Sequence, residues 1–236
     1  MIRTIAVISL LMVSGTLWAQ VPVLDPRTPN DKTLPILTFE YTFPGASPPH
    51  YGLAIEAGGR AAYRSDENPP ATKGEESGTP YLVKFIISRS NADRLFELAK
   101  TLNYLKGDFE YHGGRIANMG SKTLTFKNGP AENTTTYNYT QNSNLQQLTT
   151  IFQNIANTLE YGRRLARLYR YDKLGLEAEL KSMEEDTKRN YLAELQLDES
   201  ILKQIAGDPS VMNISRRRAE NILQKIPGES AEAAKQ

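Results

Sequence analysis

The chain contains no cysteine. That absence excludes disulfides, thiolate catalysis, a zinc site built on thiolates and a cysteine-linked acyl anchor. Histidine is nearly as scarce, with His50 and His112 the only two, so any imidazole chemistry must run through one of them. Past residue 19, no apolar run approaches the roughly 20 residues that a membrane-spanning helix needs. An excess of charge of one sign is missing as well: 28 basic residues stand against 27 acidic ones. Such a balance gives no field to steer the chain toward nucleic acid or an anionic membrane surface.

What is present begins at the N-terminus. Met1-Ile2-Arg3 carries a single positive charge, an apolar run extends from Ile5 to Val13 with Leu17 and Trp18 behind it, and Ala19-Gln20 offers a cut after a small residue. This is the three-part layout of a secretory signal peptide, and its apolar segment is too short to span a membrane. Residues 1–19 are therefore expected to be removed, and the protein is expected to be periplasmic or secreted. Cutting after Ala19 leaves 217 of the 236 residues, and because Arg3 is the sole charged residue lost, 27 bases face 27 acids. A chain of that size can bury roughly 70% of its unfolded surface, so a substantial core is feasible without disulfides. The length fits one domain with a helical extension, or two small domains.

Pro22, Pro26 and Pro29 mark residues 20–33 as an extended linker. Strand patterns follow over Leu34–Phe43, Tyr51–Glu56 and Arg60–Ser65, the last two joined at Gly58-Gly59. Asp66–Thr79 breaks the pattern with Pro69, Pro70, Gly74 and Gly78 and reads as a long polar loop. Tyr81–Ile87 resumes as a strand. Ala92, Leu95, Phe96, Ala99 and Leu102 then line one face of a helix, with Ser88 or Ser90 as its N-cap and Gly107 as its stop. Lys122–Lys127 and Thr134–Tyr139 form a second hairpin around Asn128-Gly129-Pro130.

From Asn144 onward the period is helical. Leu145, Leu148, Phe152, Ile155, Leu159, Gly162 and Ala166 run down one face of a helix reaching Arg170, on the order of 40 Å long. Gly162 inside it costs about 1 kcal/mol against Ala, and the close approach of another backbone would justify it. Further helices are expected over Lys173–Lys188, Tyr191–Ala206 and from an Asn213 cap to Ile226, with residues 227–236 as a frayed tail. The expected fold class is α+β: an antiparallel sheet of about six strands with packing helices over residues 34–158, followed by an all-helical extension over 159–226.

Chemistry-bearing motifs are few. Asp108, Glu110 and His112 stand at period two, so on a strand they would share one face and could bind a divalent ion or act as acid and base. The competing reading is a solvated strand edge beside Gly113-Gly114. No G-x-S-x-G stretch supports a serine nucleophile, and neither glycine pair belongs to a phosphate-binding loop. Arg163, Arg164, Arg167 and Arg170 form a basic band with Tyr161, Tyr169 and Tyr171 interleaved. In an exported chain its natural partners are Glu177, Glu179, Glu184, Glu185 and Asp186 of the next helix rather than RNA. Arg216-Arg217-Arg218 points in three helix directions and reads as solvated surface. Asn133, Asn138 and Asn213 match the N-glycosylation pattern, which matters only in a glycosylating host. Twelve tyrosines, several on strands, suit an ordinary half-exposed sheet or a sheet face that meets a partner.

The stretch Ser88–Glu110 with Ala92-Asp93-Arg94-Leu95-Phe96-Glu97-Leu98-Ala99, the stretch Ile116–Phe126, and Thr158–Leu165 together resemble uncharacterised exported proteins of soil-type, acidobacterial-like bacteria. The resemblance implies a bacterial envelope location and carries no activity, so no site residue follows from it. The expected function is a non-catalytic exported protein that binds a protein partner or supports an envelope assembly. No cofactor, nucleic acid partner or membrane span is expected. The alternative is a secreted hydrolase or metal-dependent enzyme using Asp108, Glu110 and His112.

Overall fold

A computed structural model describes residues 34–66 and 80–226. The expected leader, the 20–33 linker, nearly all of the Asp66–Thr79 loop and the 227–236 tail lie outside the described residues. Six strands form one antiparallel sheet: β1 (Ile36–Thr42), β2 (His50–Glu56), β3 (Arg60–Ser65), β4 (Tyr81–Ile86), β5 (Ser121–Asn128) and β6 (Ala131–Tyr137). Their spatial order is β4-β3-β2-β1-β5-β6. The β2–β3 turn carries Gly59 at φ 86°, where a Cβ would stand 3.1 Å from the Ile87 carbonyl oxygen. In the β5–β6 hairpin Asn128 pairs with Ala131 across Gly129-Pro130, and Gly129 supplies the φ of 57° that such a tight turn requires.

Alternation assigns the faces. Leu37, Phe39, Leu53, Ile55, Ala61, Tyr63, Leu124 and Phe126 point to one side and are buried. Against them pack α1 (Arg89–Thr101), through Ala92, Leu95, Leu98 and Ala99, and the first half of α2 (Ser143–Tyr171). Phe39 stacks on Phe152 of α2 at 5.3 Å between centroids, and truncating either ring would cost about 3–5 kcal/mol. The opposite face is exposed along β4 and the β5–β6 hairpin, whereas Ala54 and Ala62 at its centre are buried. Thr123 bonds Thr136 and Thr125 bonds Thr134 across it, both pairs exposed, and Leu82 and Ile86 are 53% and 70% exposed.

Ser88 is the N-cap of α1, its hydroxyl accepting from the Asn91 amide at 3.4 Å. The stop differs from expectation. Helix α1 ends at Thr101, well before Gly107, because Asn103, Tyr104 and Leu105 all turn left-handed, at φ 50°, 54° and 66°. Left-handed non-glycine residues cost roughly 1–2 kcal/mol each. Burial of Leu105 and packing of Tyr104 on Phe126 at 4.8 Å offset that cost. Asn142 caps α2, accepting from the Asn144 and Leu145 amides.

The C-terminal half adds α3 (Leu176–Lys188), α4 (Glu199–Gly207) and α5 (Asn213–Leu223). They close a second core of Tyr161, Leu165, Leu176, Leu180, Met183, Leu202, Ile205, Val211, Ala219 and Ile222. The sheet core runs up to Leu159, so the two cores abut within a single turn of α2. The helix expected from Tyr191 starts late. Residues 191–194 are irregular and Leu195–Asp198 forms a 3-10 turn before α4 begins. The reason lies on α2, whose side chains occupy that segment's carbonyls: Asn154 donates to Asn190 O, Asn157 to Tyr191 O and Thr158 to Ala193 O. Asn213 is the first residue of α5 rather than its cap; Met212 precedes the helix without a side-chain cap.

Glu194 fastens the two halves. It is buried at φ 60°, and its carboxylate accepts from the Ser88 amide at 2.8 Å, the Ser88 hydroxyl at 2.7 Å and the Asn91 side-chain amide at 2.6 Å. A carboxylate at the N-terminus of α1 satisfies an orphan donor and meets the positive end of the helix dipole.

Candidate functional site

The residues proposed from sequence do not share a strand face. The chain from Lys106 to Gly120 carries no strand, and Asp108, Glu110 and His112 lie in an irregular excursion. Asp108 Oδ2 meets His112 Nε2 at 3.0 Å while Oδ1 accepts from the Glu110 amide. The hydrogen bond to Asp108 pushes the His112 imidazole above its ordinary pKa, and the same bond holds Asp108 below its own. Glu110 turns away and accepts from the Asn138 amide at 2.5 Å. The Asp108 and His112 side chains are 71% and 72% exposed, so water has free access to the pair. Among the described residues, no group of three or more His, Asp or Glu is placed to hold a metal ion. The other histidine, His50, pairs with Asp66 at 3.0 Å.

A buried cation anchors this excursion. The Lys122 ammonium donates to the carbonyls of Met119, Gly120 and Asn138 at 3.1, 3.0 and 2.9 Å. It also lies over the Tyr41 and Tyr137 rings. Desolvation lowers its pKa, and with neutral carbonyls occupying all three of its donors it acts as a staple.

A denser polar cluster lies where the sheet meets the extension. Glu160 of α2 is only 4% exposed. Its Oε1 accepts from Tyr63 Oη at 2.8 Å and Ser65 Oγ at 2.7 Å, and its Oε2 from Arg163 at 2.8 and 2.9 Å. The Arg163 guanidinium in turn covers the Tyr81 ring at 5.7 Å. Burial, followed by the Glu160 charge, raises the Tyr63 phenol. Tyr161 donates to Asp186 at 2.7 Å, and Arg164 spans to Glu179 at 2.7 Å. The basic band is thus partly neutralised, by its own helix at Arg163 and by α3 at Arg164. Arg167 and Arg170 stay exposed. Arg218, expected in solvent, is instead drawn between Glu184 and Glu177 at 2.6 and 3.2 Å.

Gly162 is explained by a side chain rather than by a second backbone. A Cβ there would stand 2.0 Å from Asp198 Oδ1. Asp198 is 4% exposed, and its Oδ2 has no hydrogen-bond partner among the described residues. Desolvation lifts its pKa to about 8, against the opposing pull of Arg164 and the Gly162 amide. At pH 7 this carboxyl is therefore mostly neutral and able to donate a hydrogen bond.

Two clefts open on either side of this cluster. One, of about 720 Å³, runs between β4 and helices α2 and α4, with Tyr81, Val83, Phe85, Gly162, Ala166 and Asp198 among its walls. The other, of about 540 Å³, is lined by Tyr41, Tyr51, Tyr63, Gln153, Glu160 and Tyr161, among others. The ring row Tyr41–Tyr51–Tyr63–Tyr81, with centroids 5.3, 5.9 and 6.1 Å apart, crosses β1 to β4 and touches both.

Sequence reasoning missed Glu160, Asp198, Glu194 and Lys122. Two of them left a trace. Glu160 continues the Phe152–Ala156 spacing, and Asp198 continues the Leu195, Leu202, Ile205 spacing, so each is a carboxylate on an apolar stripe. No protein-family model matches the chain, and no curated protein matches it either.

Proposed function

We propose that this chain is an exported, non-catalytic binding protein of a bacterial envelope, and that its working surface is the seam between the sheet and the helical extension. The observation that carries the reading is the pair of open clefts flanking α2 at Glu160–Gly162, each walled by residues from both halves. Clefts with an apolar and aromatic lining and a few convergent polar groups are the usual binding sites, and a buried carboxyl with a displaced pKa beside one strengthens the case. The leader pattern of residues 1–19 supports export. Pairing of Arg163 with Glu160 and of Arg164 with Glu179 supports the absence of a nucleic acid partner. Among the described residues no helix is long and apolar enough to cross a membrane.

The hydrolase alternative draws on Asp108, Glu110 and His112, which are solvated and divided between separate partners. The test compares the unmodified protein with H112A and with A166W, which fills the larger cleft. Affinity capture from envelope extracts should recover the same specific partner with the unmodified protein and H112A, and lose it with A166W. Ester, glycoside or peptide hydrolysis that disappears in H112A would overturn the reading in favour of the enzyme.

A further inference from the structure

We propose that the cleft beside β4 receives an extended, acidic peptide segment of a partner protein, which adds to the sheet as a seventh strand. This rests on the binding role proposed above and specifies its ligand.

Strand β4 ends the sheet, and no described strand pairs with its outer side. The outward groups follow from the ladder. Ile87 donates to Gly59 O at 2.9 Å. In the β3–β4 register this continues the pairs Ala61–Phe85, Tyr63–Val83 and Ser65–Tyr81, and hydrogen-bonded pairs alternate with non-bonded ones in an antiparallel ladder. Phe85, Val83 and Tyr81 therefore spend their backbone groups on β3. Leu82, Lys84 and Ile86 present theirs outward, and an unpaired strand edge of this kind is a template for another strand.

The surroundings suit a single strand better than a sheet. Helices α2 and α4 face β4 across the cleft, leaving a trough rather than an open flank. Val83, Phe85, Leu159, Leu197 and Ile201 supply apolar footing for alternate side chains. Six residues of β4 span about 20 Å, room for a partner stretch of five or six residues. Charge selects among such peptides. Lys84 and Arg170 are exposed at the rim, while the charge of Lys173 there is taken up by Asp208. The one acid among the described wall residues, Asp198, is buried, and its Oδ2 has no partner among the described residues, so a peptide amide or carboxylate entering the trough would partner it. Cations around the opening and a single buried acid complement an anionic strand and oppose a cationic one.

The test uses fluorescein-labelled ten-residue peptides in which valine alternates with glutamate or with lysine, together with a glutamate peptide N-methylated at every second residue. Anisotropy should show saturable binding of the glutamate peptide, at least tenfold weaker binding of the lysine peptide, and loss of binding on N-methylation. K84P removes the central outward amide at an edge position where proline is tolerated. It should weaken binding at least tenfold with an unchanged circular dichroism spectrum, and A166W should do the same from the opposite wall without touching β4. Equal binding of the two charge types, or full binding by both K84P and A166W, would overturn the proposal. So would absence of peptide binding together with a dimer in sedimentation that K84P abolishes, since the edge would then belong to a second copy. If no peptide binds while A166W still loses the envelope partner, this inference fails and the binding role stands.

Discussion

Replacing Asp198 with Asn should change how stability depends on pH, and the size of the change follows from burial. The carboxyl ordinarily titrates near 3.8 and in the folded chain near 8. Between those values the native state holds a proton that the unfolded state has released, so unfolding free energy falls as pH rises. The slope is about 1.4 kcal/mol per pH unit for one proton. The stability tied to this group is therefore complete below about pH 4, declines through neutrality and levels off above about pH 8. Going from pH 5 to pH 7 removes stability on the order of 2–3 kcal/mol from the unmodified protein, and D198N, which keeps the shape without the titration, escapes that loss. Urea unfolding followed by circular dichroism at pH 5, 6, 7, 8 and 9 reads the difference between the two proteins. Every other titrating group cancels in that difference. The gap should widen in favour of D198N up to about pH 8 and then stay constant. Stability curves that run parallel from pH 5 to pH 8 would refute the claim that this carboxyl is held neutral.

G162A tests the same contact from the helix side. In an exposed helix the change gains about 1 kcal/mol, but here the new methyl collides with Asp198 Oδ1, so a net loss of about 1–3 kcal/mol is expected. The loss should reverse in a D198A background, and additive effects would break the argument. E194A leaves the start of α1 without its carboxylate and should cost about 2–4 kcal/mol. Hydrogen exchange at the Ser88 amide should accelerate, and an unchanged rate would contradict the anchoring role. In an NMR titration His112 should titrate above the ordinary 6.5, and D108N should bring it back down; no response to D108N would dissolve the pair.

The sheet was readable because β1, β4 and β5 alternate a buried with a more exposed face, while β2 and β3, buried on both faces at Ala54 and Ala62, still carry apolar runs bounded by turn residues. Leu37 and Phe39 alternate with Thr38 and Glu40, and Leu124 and Phe126 with Thr123 and Thr125. Glycines at positive φ punctuate the β2–β3 and β5–β6 hairpins. Helix α1 was readable from the 92, 95, 99 spacing, but its end was not, since no rule based on glycine anticipates three left-handed residues held by the packing of Leu105 and Tyr104. The 191–194 segment looked helical because its composition is helical, and only the side chains of Asn154, Asn157 and Thr158, more than thirty residues away in sequence, divert its backbone. The candidate site was harder to read for a similar reason. Period two misdirected attention to Asp108, Glu110 and His112 because it presupposed a strand there. The groups buried at the seam, Glu160 and Asp198, were not singled out by any motif. A carboxylate in register with an apolar stripe announces burial, but its partners, Tyr63, Ser65 and Gly162, come from elsewhere in the chain.

The unbroken course of α2 through both cores has a mechanical consequence. Its 29 residues make a rod of about 43 Å with no joint where the two halves meet. Tipping the rod by about 5° at its first turn carries its far end some 4 Å sideways. A rigid tilt of α2 would therefore displace Tyr169 together with Phe152, and the Glu194 bonds to Ser88 and Asn91 oppose such a tilt.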